Sequence, residues 1–223
     1  MGSTRTRRMR RHGLGLGLAA IMALASGMAA AAPVAEVIGV VGEAQTGPAG
    51  QGKALALGDK LEPGADIRTG EKGRVRLRFI DGSTVVVSDR SVFRIERFEA
   101  APGKPREASL LLNLGLIGQK VTPSAQGSWT VRTPSAVTAV RGTEFMVEVG
   151  AELDTAVDVQ EGKVEVESVE APDKPRAKGL RPPPSLLLPT SAGLRCNRGG
   201  DCQTPKAFNP DRVQRNLERL SGV

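Results

Sequence analysis

Few residues in this chain could do chemistry, and they are unevenly placed. The single histidine, His12, sits in an arginine-rich N-terminal stretch, and tyrosine is absent. Downstream of it there is no imidazole to serve as a base or a metal ligand, so Ser-His-Asp and Cys-His nucleophile systems are excluded. Carboxylates remain. Asp154, Asp158, Glu161 and Glu165 combine into pairs on paper, but acids alternating along a strand form its wet face. Cys196 and Cys202 enclose "NRGGD". Two thiols alone do not fill a tetrahedral metal site, so a disulfide is expected, contributing ~2–3 kcal/mol for so short a ring. "GPAGQGKA" (47–54) imitates a phosphate-cradling loop through Gly47, Gly52 and Lys53. Ala54 stands where a Ser or Thr would hold magnesium, and a surface turn is the better reading. No catalytic, cofactor or metal-binding residue is expected, and no nucleotide.

Two arginine features need an explanation. Arg74, Arg76 and Arg78 alternate with Val75, Leu77 and Phe79, so they project from one strand face at ~7 Å intervals. They form either a ladder for an anionic glycan or lipid, or a solvated face paired with Glu165, Glu167 or similar acids on a neighbouring strand. The second feature is "TPSAVTAVRGTEFMVEV" (133–149). Val137, Ala139, Phe145, Val147 and Val149 share one parity, and Arg141 falls on it. A buried unpaired arginine costs too much to keep. The strand is therefore expected to break there, with Gly142 permitting a turn or bulge that resets the ladder. Thr143 would bond locally, and Arg141 would pair with Glu144 or another acid. On this reading Arg141, Gly142, Thr143, Glu144 and Phe145 form a structural corner, and an Arg141→Ala variant mainly loses stability.

The elements that must hold these groups are strands. "GRVRLRFIDGSTVVVSD" alternates, turns at Asp81-Gly82 and resumes, which is a hairpin signal. "SVFRIERF", "SWTVRT" and "DTAVDVQEGKVEVES" follow the same grammar, the last with a turn expected at Glu161-Gly162. "ASLLLNLGLIGQKV" carries Gly115 and Gly118 within an apolar run, suiting paired buried strands better than a helix. "IRTG" (67–70) and "VRTP" (131–134) are a weak internal echo. Short strands with frequent glycine turns predict an all-β roll or solenoid-like domain over 34–168. A Pro-rich linker or arm follows over 169–192, lying on the domain through Leu186, Leu187 and Leu188. The region 193–223 holds the Cys loop and a helix, with Asn209 as N-cap, Pro210 in its first position and Val213, Leu217 and Leu220 as an apolar stripe. So short a helix must dock, either to cover a sheet edge or to meet a partner.

Residues 1–31 read as a signal peptide. Five arginines without an acid precede the short apolar run "LGLGLAAIMALASGM", and "AAAA" supplies a cleavage site, favoured after Ala31. Arg7-Arg8 evokes twin-arginine export, but Arg10-Arg11 follow where that signal wants apolar residues. An uncleaved inner-membrane anchor is the alternative, for which the run is short. Removing the segment lowers the net charge from +7 to +2, with 26 basic against 24 acidic residues. The basic pI thus implies no nucleic-acid partner. With five Phe, one Trp and no Tyr, the chain is also poor in sugar-stacking platforms.

"VVGEAQ", "LALGDKLEPGADIRTGEKGRVRLRFIDGSTVVV", "LLNLGLIGQKV" and "VRTPSAVTAVRGTEFMVEV" followed by "TAVDVQEGKVEVES" resemble the FecR domain, in the expected order from Val37 to Ser168. The resemblance implies a periplasmic β-rich module of Gram-negative envelopes, with no catalytic residues to carry over. In the regulators that name the family, this module relays receptor occupancy to a cytoplasmic anti-sigma segment. Here the residues before the apolar run are too few to fold as such a segment, so a stand-alone exported module is expected. Its expected role is non-enzymatic envelope sensing, signalling or scaffolding with another envelope protein. The alternative is binding of anionic polysaccharide or lipid through Arg74, Arg76 and Arg78.

Overall fold

A computed structural model describes Gly2 and residues 32–49, 51–101, 103–169 and 185–223. Apart from Gly2, the expected signal peptide lies outside the described residues, as do positions 170–184 of the Pro-rich arm. Among the described residues, the body that includes the domain is all-β with one helix.

The chain opens with β1 (Ala35–Val41), then short β2 (Ala44–Thr46), β3 (Lys53–Ala54) and β4 (Lys60–Leu61). Next come β5 (Asp66–Thr69), β6 (Arg74–Phe79), β7 (Thr84–Val87), β8 (Val92–Glu99) and the long β9 (Arg106–Lys120). The second half holds β10 (Gly127–Arg132), β11 (Ala136–Val140), β12 (Glu144–Val149), β13 (Thr155–Glu161) and β14 (Lys163–Ser168). It ends with β15 (Leu186–Pro189), β16 (Ala192–Cys196), β17 (Lys206–Ala207) and α1 (Pro210–Leu220).

These strands make two sheets joined through β9. Sheet 1 runs β4-β1-β6-β7-β9-β12-β13-β16-β17. Sheet 2 runs β3-β2-β5-β8-β9-β10-β11-β14-β15. The residues of β9 up to Leu114 pair with β8 in sheet 2, and those from Gly115 on pair with β12 in sheet 1. The run "LLLNLGLIGQK" is therefore one strand serving both sheets, not two paired strands. Gly115, at φ +94°, lies where it changes sheets, in a conformation that a Cβ disfavours. The chain then returns to start β10 beside the start of β9, in parallel register from Gly127↔Arg106. A parallel pair needs a long crossover, and the second half of β9 is that crossover.

Alternation decides what the two sheets enclose. Val75, Leu77, Phe79, Val85, Val87, Ile117, Phe145 and Val147 from sheet 1 meet Ile67, Phe93, Ile95, Leu110, Leu112, Trp129 and Val131 from sheet 2 in one core. Asp81-Gly82 makes the expected β6–β7 hairpin. Glu161-Gly162 instead carries the chain from β13 in sheet 1 to β14 in sheet 2. The sheets also continue past Ser168. Leu186–Pro189 pairs with β14 as a true strand, burying Leu188 and leaving Leu187 59% exposed. After it, β16 extends sheet 1 beside β13.

Candidate functional site

The signature corner is built from a change of parity. In β11 the buried residues are Ala136, Thr138 and Val140, so Val137 and Ala139 sit on the half-exposed face. In β12 they are Phe145, Met146, Val147 and Val149. Arg141 ends up exposed between the two strands, so no arginine stands in a valine's place. Its backbone carbonyl accepts from Ser124 N at 2.7 Å and from Arg106 Nη2 at 3.5 Å. Gly142 is required for space: a Cβ there would lie 2.5 Å from Pro123 Cα. Thr143 Oγ1 donates to Lys163 O at 2.9 Å. Glu144 pairs with Lys120 at 3.3 Å, not with Arg141, because β9 runs beside β12 and brings Lys120 opposite Glu144. Phe145 lies in the core. Among the described residues, the Arg141 side chain makes no hydrogen bond or ion pair. It borders a groove of about 670 Å³ with Lys163, Glu165 and the exposed Leu187.

The arginine ladder is divided among three environments. Arg78 pairs with Glu36 at 3.3 Å across the β1–β6 ladder. Lys60, whose hydrogen bond is the larger influence, and Arg78 hold the Glu36 carboxyl below its ordinary value. Arg74 Nη1 donates to the carbonyl of Ser221, just past the end of α1, where a cation complements the helix dipole. Arg76 has no hydrogen bond or ion pair among the described residues, and its Nε is buried. Glu165 and Glu167 do not oppose the ladder, because they lie on β14 in sheet 2. A continuous cationic face is not what the fold presents.

Helix α1 lies on the outer face of sheet 1 and covers a face, not an edge. Asn209 caps it through Oδ1, accepting from Arg212 N at 3.1 Å. Its buried stripe is Val213, Asn216 and Leu220, while Leu217 is 44% exposed. Val213 and Leu220 pack with Leu116 and Met146, a small apolar contact. The rest is ionic. Arg212 pairs with Asp158, and Arg219 bridges Asp89 at 3.0 Å and Glu148 at 2.7 Å. Burial pushes the Asp158 carboxyl above its ordinary value despite the opposing pull of Arg212, and Glu148 adds to the rise. Burial also pushes Asp89 up, but hydrogen bonds from Ser88 and Arg219 outweigh it, so its pKa is lowered. Gly118 makes the helix contact possible, since a Cβ there would lie 2.6 Å from Leu220 Cδ1. Gly118→Val is accordingly expected to lift α1: hydrogen exchange should accelerate several-fold across 210–220 and stay slow in β6 and β9.

Cys196 and Cys202 form the expected disulfide at the end of β16. The carboxylates considered for catalysis are dispersed: Asp154 pairs with Arg195, Asp158 with Arg212, and Glu165 accepts from Ser185 Oγ at 2.6 Å. Among the described residues no group of three or more His, Cys, Asp or Glu is placed to hold a metal. One cluster escaped the sequence reading. Arg106 is buried, bonds Asp81 Oδ2 at 2.7 Å and Thr122 O at 2.8 Å, and lies 5.6 Å from the Trp129 ring centroid. Trp129 in turn meets Phe79 and Phe98 edge-on and donates to Gln119 Oε1 at 2.8 Å.

The family described as FecR protein matches residues 65–165, and this part of the chain is a FecR domain. Two crystal structures of a provisionally assigned anti-sigma factor from Parabacteroides distasonis, at 1.65 and 2.50 Å resolution, have a similar fold, with TM-scores of 0.53 and 0.52. Both are 21% identical to this chain over 68% of its length, and the alignment covers 64% and 63% of theirs, under two thirds. At that identity the likeness is one of fold. No curated protein matches the chain. No described helix is long and apolar enough to cross a membrane.

Proposed function

We propose that this chain is a non-enzymatic, protein-binding sensory module of the bacterial envelope, exported to the periplasm by residues 1–31. Membership of the FecR family across 65–165 supports a signalling or sensing role, as does the fold shared with a provisionally assigned anti-sigma factor. The observation that carries the choice of surface is Arg141. Gly142, Thr143, Glu144 and Phe145 are each accounted for by space, bonding or packing, whereas the Arg141 side chain projects beside a groove rimmed by Leu187. Arginine is enriched at interfaces and among their anchor residues, and here it stands beside an exposed apolar side chain that a partner would cover. The partner is another envelope protein. The alternative, an anionic glycan or lipid on Arg74, Arg76 and Arg78, is the less favoured, because Arg74 and Arg78 already have partners within the chain.

Two measurements test this. Arg141→Glu is expected to leave stability within about 0.5 kcal/mol of the parent, as for exposed sites without structural contacts. A photo-crosslinker at position 187 in producing cells is expected to give a discrete envelope-protein adduct that Arg141→Glu abolishes. An adduct that survives the charge reversal rules out this surface. A large loss of stability would restore the corner's purely architectural role.

A further inference from the structure

The outer face of sheet 1 holds a second concavity, made of none of the residues that line the signature-corner groove. Strand register puts Arg76, Val86, Gly118 and Met146 in one row across β6, β7, β9 and β12. Helix α1 rests on part of this row, and the remainder opens as a cavity of about 270 Å³. Arg76 and Gln160 stand on its sheet side, with Val86 and Met146 between them and Leu217 and Leu220 on its helix side.

Both polar residues are unsatisfied. Arg76 Nε and Gln160 Nε2 are buried donors without a partner, and neither side chain makes any hydrogen bond or ion pair among the described residues. Buried donors normally find acceptors, and a half-buried guanidinium without a counter-charge is costly. The neighbouring arginines show the alternative, since Arg74 and Arg78 are each provided for. An unpaired guanidinium and an unpaired amide thus line one cavity whose opposite wall is apolar.

We propose that this cavity binds a small organic monocarboxylate with a short apolar arm. The guanidinium matches a carboxylate in planar, two-point fashion, and the Gln160 amide offers a donor at the far side of the cavity. The arm lies against Val86, Met146, Leu217 and Leu220. One charge is favoured over two. Lys120, the other cation lining the cavity, is already paired with Glu144 at 3.3 Å, and that carboxylate repels a dianion such as phosphate. Because Leu217 and Leu220 belong to α1, a ligand held here bridges helix and sheet, and occupancy tightens the docking of α1 by mass action. A small molecule would thereby be read out as the position of a helix.

The test uses the full chain, titrated at constant ionic strength with acetate, butyrate, hexanoate and inorganic phosphate. Melting temperature and hydrogen exchange over 210–220 are followed. Butyrate and hexanoate are expected to raise the melting temperature saturably and to slow exchange in α1, hexanoate at concentrations at least tenfold below acetate; phosphate does neither. Arg76→Gln should abolish the response, whereas Arg78→Gln should keep it. Leu217→Ser, at a half-exposed site that should leave the fold intact, is expected to erase the preference for hexanoate over acetate. No saturable response in the parent overturns the assignment, as does a response that persists in Arg76→Gln or an equal response to phosphate. Partner crosslinking at position 187 reports separately on the signature corner, so either reading can fail without the other.

Discussion

Asp81→Ala is expected to be among the most damaging single substitutions in this domain, lowering stability by about 3–5 kcal/mol, the usual consequence of removing one member of a buried ion pair. The Asp81 and Arg106 side chains are only 11% and 6% exposed, so water cannot take over the lost role. Asp81 does more than neutralise Arg106: it accepts from Ser83 N at 2.9 Å and from Ser83 Oγ at 2.7 Å, fixing the β6–β7 turn. Arg106 would keep its bonds to Thr122 O and Arg141 O, but its charge would stay buried against Trp129. Urea unfolding followed by the fluorescence of Trp129, the sole tryptophan and fully buried, gives the measurement. In a double-mutant cycle, Asp81→Ala with Arg106→Met should cost clearly less than the sum of the single changes, because the orphaned charge is gone. Additive losses would show that the turn matters and the ion pair does not.

That cluster also marks the limit of what the sequence makes legible. Alternation and turn residues are local, so the all-β class, the Asp81-Gly82 hairpin and a break near Gly142 can be read directly. The parity break was visible in the text, but which side of it faced the core was not. Val137 and Ala139 are as apolar as their buried neighbours, and only the pairing of β11 with β10 and β14 decides. Arg106 and Asp81 are 25 positions apart and meet only because β9 crosses between sheets. Nothing in "KPREASL" marks that arginine as buried. A similar blindness affects β9 itself, since an apolar run with two glycines does not say that one strand serves two sheets. The helix misled in a smaller way. Leu217 fits an apolar stripe, but Asn216 is the residue turned inward, where its Nδ2 lies 3.4 Å from Glu148 Oε2. A stripe chosen by hydrophobicity cannot anticipate a face that docks by charge. The same holds for Arg74, Arg76 and Arg78, identical in sequence context and different in fate because β1, α1 and the cavity each meet a different rung.

Arg212→Ala should be the most pH-sensitive change in the protein. It leaves Asp158, whose side chain is 2% exposed, without its cation. Breaking a buried pair costs roughly 3–5 kcal/mol, and the lower end applies here because the Arg212 side chain keeps 19% of its exposure. The sign follows from the direction of the Asp158 shift. Burial raises its folded-state pKa above the ordinary 3.8, so the folded protein holds a proton there more tightly than the unfolded chain does. The contribution of this group to stability is therefore fully present below 3.8, falls as pH rises through the raised value and is flat above it. Removing Arg212 raises that pKa further and extends the decline to higher pH. The destabilisation by Arg212→Ala should then be largest near neutrality and shrink on acidification, as Asp158 becomes neutral and needs no partner. Around it stand Glu148 and Arg195, whose charges act in opposite directions on Asp158. Asp158→Asn separates this effect from theirs: in that background the pH dependence of Arg212→Ala should vanish, whereas a loss constant from pH 4 to 8 in both backgrounds would exonerate Asp158. Hydrogen exchange over 210–220 should report the change at lower denaturant than Trp129 fluorescence does. The apolar seal of Val213 and Leu220 is too small to hold α1 once its arginine has gone.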